Sequence, residues 1–436
     1  MATLADTTLS KMKWRLLPFL LVCYLLAYLD RVNVSIAALQ MNEDLGFTPT
    51  IYAFGGGIFF LGYFLFELPS NWALERVGAR RWIARIMISW GLVASAMAFV
   101  SGPTSFYWLR FLLGAAEAGF LPGIVYYLSR WFPARERAAI MALFFLGLPL
   151  SFVVGAPVSG ALLSLDGLLG IAGWKWLYLL EGLPTVVFGI LCLKVLTDRP
   201  SEAKWLSAEE RNWIEGVLRA EEAERAKVSA PTFTAALYDR RVWAFGIAYV
   251  GIIMGMYGIG LWLPQIIKQL GYSDFVTSTI SAVPYVLSAV AMIVVARSSD
   301  RTGERRWHAV LPCIVAAAGL VASAYIGSPL LSLAAVTVGA VAVISSMPTF
   351  WALPTAVLSG SAAAGGIALI NSIGNLGGFA GPYLVGYVRE ASGSFQLGLL
   401  FLAVCPFLTA LILYAMTGRS TAEEALRRAK SSAPAH

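Results

Sequence analysis

Apolar residues along this chain come in long blocks, not in the short alternating runs of a half-buried strand. The first block runs from Leu16 to Leu39, and others cover 51–74, 82–100, 104–129, 138–163 and 174–197. A charged, helix-compatible stretch from Asp198 to Arg241 interrupts them, after which six more follow at 242–265, 276–297, 308–326, 329–352, 362–388 and 395–417. A helix rises 1.5 Å per residue, so about twenty apolar residues cross the ~30 Å of hydrocarbon in a bilayer. The pattern therefore predicts an all-α membrane protein of twelve transmembrane helices. The first block is too long for a signal-peptide core and is expected to stay as a spanning helix.

Composition agrees with that reading and narrows it. Of 436 residues, 58% are hydrophobic and only 13% charged, whereas a soluble domain carries about a quarter charged. The four cysteines (Cys23, Cys192, Cys313 and Cys405) all lie inside apolar blocks without paired spacing, as small packing residues do. With only His308 and the terminal His436 available, no histidine metal site is expected. The net charge of +7 is scattered among short loops, which excludes a nucleic-acid patch and points to topology. With the N-terminus inside, the short cytoplasmic segments and tails hold eighteen Lys and Arg, and the opposite loops hold only Lys175, Lys268 and Arg389. By the positive-inside rule both termini and the central loop are cytoplasmic. The expected organisation is a cytoplasmic tail over 1–15, a six-helix half over 16–197, a central loop over 198–241, a second half over 242–417 and a cytoplasmic tail over 418–436.

The two halves repeat. After the second block comes Asn71-Trp-Ala-Leu-Glu75-Arg76-Val-Gly78-Ala-Arg80-Arg81, and after the eighth comes Ala296-Arg-Ser-Ser-Asp300-Arg301-Thr-Gly303-Glu-Arg305-Arg306. Acid, first Arg, Gly and final Arg pair recur at an offset of 225, which Pro157 and Pro382 share. Repeats of this kind place a substrate site at the interface of the halves near the bilayer midplane.

These acid-Arg-x-Gly-x-Arg loops resemble the signature loops of the major facilitator superfamily. Within it, Tyr28-Leu-Asp30-Arg31-Val-Asn33, Arg110-Phe-Leu-Leu-Gly114-Ala-Ala-Glu117-Ala and Asn371-Ser-Ile-Gly374-Asn375-Leu-Gly-Gly-Phe-Ala-Gly381-Pro382 are similar to the anion:cation symporter family. The resemblance runs from about residue 14 to 417. The first loop departs from the usual pattern at Asn71, Glu75 and Ala79. The resemblance implies the major facilitator fold, monomeric function in a bacterial inner membrane, and proton symport of a carboxylate such as phthalate, tartrate or a sugar acid. It also implies substrate contacts from Arg31 and Arg110 and proton sites at Asp30 and Glu117.

The residues themselves lead to the same four. An ionised side chain at membrane depth is costly unless it faces a wet cavity or a partner, so Asp30, Arg31, Arg110 and Glu117 are functional candidates by default. Arg110 and Glu117 are seven residues apart, two helical turns, and share one face. Asp30 and Arg31 are adjacent and point about 100° apart, one towards a cavity and the other towards a neighbouring helix. A guanidinium can replace the lost hydration of a carboxylate with fixed, forked donors. Proton coupling needs a buried acid whose proton affinity an Arg can modulate, and Asp30 and Glu117 each have one nearby. Glu67, ahead of Pro69, is expected to sit at the interface or brace a loop instead.

Amides in the apolar blocks are few, chiefly Asn33, Asn71, Gln265, Asn371 and Asn375, whereas aromatics are plentiful. That balance leans to an aromatic carboxylate such as phthalate over a polyhydroxy acid such as galactonate, with a tartrate-like dicarboxylate as the rival. Tyr63, Tyr257, Trp351, Asn371 and Asn375 join Arg31 and Arg110 as substrate-contact candidates. The Glu75, Arg76, Arg80 group and its repeat Asp300, Arg301, Arg305 are candidate cytoplasmic gates. No G-x-x-x-x-G-K-[ST] loop occurs, so neither ATP nor any other cofactor is expected, protons being the coupling ion. No nucleophile with an adjacent base suggests an enzyme. The competing reading is an anion sensor that binds without transporting.

Overall fold

A computed structural model describes residues 3–145, 147–226, 237–358 and 361–416. The expected tail over 418–436, and part of the expected central loop, lie outside the described residues. Everything regular among the described residues is helical. Eleven helical spans among the described residues, three of them running across a break between consecutive α-helices (Pro103–Trp131, Leu143–Leu163 and Pro329–Pro354), are long and apolar enough to cross a membrane. The eleventh expected block, 362–388, is present as two shorter helices, α15 (Ser361–Asn375) and α16 (Gly377–Ser392), broken at Leu376 in a run of glycines. Large apolar side chains such as Leu65, Phe66, Val290 and Val294 stay exposed on the helix surfaces, as suits a solvent of lipid tails.

The chain divides into two compact units, Met1–Gln40 with Leu61–Ser229, and Met41–Phe60 with Ala230–His436. The first unit contains most of α1 (Leu4–Asp44), the second half of α2 (Pro49–Val77), and α3 (Ala79–Ala96), α4 (Pro103–Glu117), α5 (Phe120–Trp131), α6 (Ala134–Phe145), α7 (Gly147–Leu163), α8 (Gly173–Val195) and α9 (Ala208–Ala226). Helix α1 begins at Leu4, well ahead of its apolar block. The expected single span at 104–129 is divided into α4 and α5 because Gly119 has φ 85°, a left-handed conformation that only glycine adopts without penalty. The last residue of α4 is Glu117. A carboxylate at the negative end of a helix dipole is unfavourable unless a cation or a proton offsets it.

Residues 198–226 are fastened to this unit. Asp198 Oδ1 accepts the Arg80 backbone N–H at 2.9 Å, capping α3 after the turn at Gly78. Trp205 stacks on Trp131 with ring centroids 5.6 Å apart. Ser207 and Glu210 form a reciprocal capping box that starts α9. Lys11 pairs with Glu210, and Arg137 with Glu221 at 3.1 Å.

The Lys11 ammonium, reinforced by the Ser207 backbone N–H, holds the Glu210 carboxyl below its ordinary range. A depressed carboxyl stabilises the fold above its unfolded-state value of about 4.3, and that stability is lost as pH falls through the lower folded value. Because Lys11 is half exposed, Glu210→Gln is expected to cost only about 0.2–1 kcal/mol at neutral pH. Thermal melts in detergent should show the difference vanish in strong acid.

The second unit contains the start of α2 with α10 (Arg240–Lys268), α11 (Asp274–Thr302), α12 (Arg306–Tyr325), α13 (Pro329–Ser345), α14 (Met347–Val357), α15, α16 and α17 (Phe395–Met416). Helix α10 packs against α15, α16 and α17, and α12 against α13 and α17. The 41–60 segment is stitched in by polar contacts. Tyr52 donates to the Leu261 carbonyl at 3.0 Å, and Glu390 accepts the Thr50 N–H at 2.8 Å, capping the first turn of α2. Aromatic contacts follow along the same helix, Phe54 on Phe379 at 5.7 Å and Phe60 on Tyr257 at 4.5 Å.

Candidate functional site

All four deep charges read from the sequence fall in the first unit. Asp30 and Glu117 are 1% exposed and Arg110 2%, so Arg110 does not reach out to an interface. Arg31 on α1 donates from Nε to Glu117 Oε1 at 2.6 Å, and its Nη2 stands at the same distance from that oxygen in the ion pair. Glu117 Oε2 is buried with no hydrogen-bond partner among the described residues. The Arg31 guanidinium lies 5.0 Å from the Tyr28 ring and 5.1 Å from the Tyr63 ring, an arrangement that fixes its plane and adds cation–π attraction. Arg110, on the same helix as Glu117, is within electrostatic reach of both Glu117 and Tyr178. Two guanidinium groups therefore converge on one carboxylate.

Asp30 points elsewhere, as the 100° offset between neighbouring helical residues requires. Its Oδ2 accepts from Trp90 Nε1 at 2.7 Å and from Thr185 Oγ1 at 3.0 Å, while Asn33 Nδ2 stands 3.4 Å from Oδ1. The donors come from α3, α8 and α1 itself, and all are uncharged. Reasoning from the sequence missed Trp90 and Thr185, because neutral donors inside apolar blocks carry no mark of their role. It also missed Glu181 on α8, although a lone acid within the 174–197 block was the same signal that singled out Glu117. Glu181 is 3% exposed, and its Oε1 accepts from Ser159 on α7 at 2.6 Å. Glu67 is buried at 6% exposure, within electrostatic reach of Tyr63.

The remaining substrate-contact candidates lie in the second unit. Trp351 packs on Tyr249, ring centroids 4.9 Å apart, with Phe350 stacked on Tyr249 at 5.1 Å. Asn371 and Asn375 flank Gly374, which presses against the Tyr249 ring so closely that a Cβ would overlap it. Tyr249 thus joins Trp351 and the Gly374 segment of α15, and Tyr257 lies two turns further along α10 against Phe60.

The candidate gates are arranged differently in the two repeats. Asp300 and Arg305 form an ion pair at 2.6 Å at the helix surface, and Arg301 is exposed beside it. In the first repeat Glu75 is exposed, Arg76 lies over the Trp72 ring at 3.7 Å, and Arg80 contributes its backbone N–H to Asp198.

The profile of the Major Facilitator Superfamily matches residues 20–382. Two relatives from Agrobacterium vitis, both named "Putative tartrate transporter", are 53% and 52% identical over 404 and 400 residues. The matches cover 93% and 92% of this chain and 90% and 92% of those proteins. Among solved structures, a bacterial homolog of the human lysosomal transporter Spinster, inward-facing and occupied, superposes with a TM-score of 0.71 at 16% identity, covering 94% of this chain and 96% of that one. At that identity the likeness bears on the fold alone.

Proposed function

Because this chain belongs to the major facilitator superfamily and is a multi-pass membrane transporter, we propose that it imports a tartrate-like dicarboxylate together with protons by alternating access. The observation that carries the reading is the buried Arg31–Glu117 pair. A substrate carboxylate and Glu117 compete for the donors of the Arg31 guanidinium. Protonating Glu117 removes its charge and releases those donors, so the substrate enters with a proton and leaves as the proton leaves. Arg110, within reach of the same carboxylate, serves a second substrate carboxylate, and Asp30 carries a further exchangeable proton. The excess of Lys and Arg in the short loops supports termini on the cytoplasmic side.

Two arginines suit two carboxylates, and the relatives named for tartrate support that class. Of the aromatic residues behind the aromatic-carboxylate reading, Tyr63 lies against the Arg31 guanidinium together with Tyr28. In proteoliposomes, an inward proton gradient is expected to raise tartrate uptake several-fold, and uptake indifferent to a protonophore would overturn the coupling. A thermal-shift screen should show stabilisation by tartrate, about 2.7 kcal/mol at a hundred times Kd. Stabilisation by phthalate, galactonate or hydroxyphenylacetate in its place would overturn the substrate class.

A further inference from the structure

One group of buried polar residues is not absorbed by the Arg31–Glu117 exchange. Glu181 sits in the middle of the first unit with Oε1 bonded to Ser159 and Oε2 buried without a partner among the described residues. Asn33 lies beside Glu181 without a formed hydrogen bond to it and donates weakly to Asp30, and its own Oδ1 is buried without a partner. Among the described residues neither Asp30 nor Glu181 takes part in an ion pair, and Asp30 lies within electrostatic reach of Glu181. Two buried carboxylates, neither of them paired to a cation, cannot both be ionised at acceptable cost, and such pairs keep one proton between them. A proton on Glu181 also repairs the local hydrogen bonding. Its O–H gives Asn33 Oδ1 the donor it lacks, leaving Asn33 Nδ2 turned to an ionised Asp30.

We propose that Glu181 is a third proton-binding carboxyl of this transporter, bridged to Asp30 by Asn33, so that the buried Asp30–Glu181 pair holds one proton between its two acids. The proposal deepens the proton-coupled reading and rests on it. The titratable and charged groups that bear on the pair are Glu117 on α4, which reaches Asp30, and Tyr178 on α8 with Arg110 behind it. From α3 and α7 the contacts are the uncharged Trp90 and Ser159. When Asp30 takes up a proton during transport, the one on Glu181 is free to leave as H+ to water, the Ser159 hydroxyl and the Asn33 amide then stabilising the carboxylate left behind.

Infrared difference spectroscopy of the purified full-length protein tests the protonation without relying on flux. At neutral pH the wild type is expected to show a buried carboxylic-acid C=O band that Glu181→Gln removes and Ser159→Ala shifts. A wild-type spectrum unaltered by both substitutions would overturn the assignment, and Ser159→Ala alone decides it should the Gln variant fail to fold. In proteoliposomes, Glu181→Gln should move the pH midpoint of proton-driven tartrate uptake to the acid side by on the order of one pH unit. An unmoved midpoint would overturn the linkage to Asp30. Wild-type uptake that ignores a proton gradient would instead bring down the coupled-transport reading, and the infrared band separates that failure from this one.

Discussion

Arg31→Ala is expected to abolish tartrate uptake and to lower the stability of the unliganded protein by about 3–5 kcal/mol, the usual cost of removing one member of a buried ion pair. The large figure follows from what stays behind. Glu117 would remain buried at the C-terminal end of α4 with its hydrogen bond and its ion pair gone, and the faces of Tyr28 and Tyr63 would enclose a void. Lysine is not expected to rescue function, because a single ammonium cannot supply two fixed donors between two rings. The double variant Arg31→Ala with Glu117→Gln should regain much of the thermal stability, since no unpaired charge is left, and still fail to transport. A double-mutant cycle with strictly additive destabilisation, or an Arg31→Ala protein that accumulates tartrate at near wild-type rates, would refute the exchange mechanism.

Gly62→Ala is the second substitution with a large expected effect, and here the cause is space. A Cβ at Gly62 on α2 would fall on the carbonyl oxygen of Phe111 and 3.1 Å from the backbone nitrogen of Ala115, both on α4. Backbone atoms have no rotamer by which to escape, so the two helices must separate, a change worth about 1–3 kcal/mol when a core is overfilled. Helix α4 carries Arg110 and Glu117, and an ångström of misplacement can cost on the order of a hundredfold in rate. Uptake should therefore fall further than the folded fraction does. Gly216 on α9 is the control, because a Cβ there meets nothing within 4 Å, and its Ala variant should be neutral or stabilised by about 0.4–1 kcal/mol. Equal behaviour of the two alanine variants in melting and uptake would refute the close-approach argument.

Much of this site could be read before any coordinates. Charges that interrupt twenty-residue apolar blocks announce themselves, and Asp30, Arg31, Arg110 and Glu117 did so because lipid tolerates them nowhere without a reason. Their pairing could not be read. Spacing placed Arg110 and Glu117 on one face, yet the direct bonds to Glu117 come from Arg31, 86 residues away in the chain. Such a contact depends on how α1 lies against α4, which no local pattern encodes. Neutral partners were hidden for a different reason: Trp90, Thr185 and Ser159 are ordinary members of apolar blocks, and only the geometry turns them into donors. Glu181 was legible and overlooked. The twelve-block pattern held through most of the fold, and it faltered where a helix breaks inside an apolar run, at Gly119 and at Leu376. Hydropathy averages over such breaks; at Gly119, a glycine at positive φ changes the direction of the backbone without changing its polarity.

The anchoring of residues 198–226 bears on how this protein can be dissected. Asp198, Trp205, Glu210 and Glu221 each reach back to a different part of the first unit, so the stretch is a strap sewn onto its own half. Anyone dividing the gene into two coexpressed fragments, or inserting a fluorescent protein, should cut beyond Ala226. A junction just after Val195 would deprive the first fragment of the cap on α3 and leave four sets of severed attachments on the wrong piece.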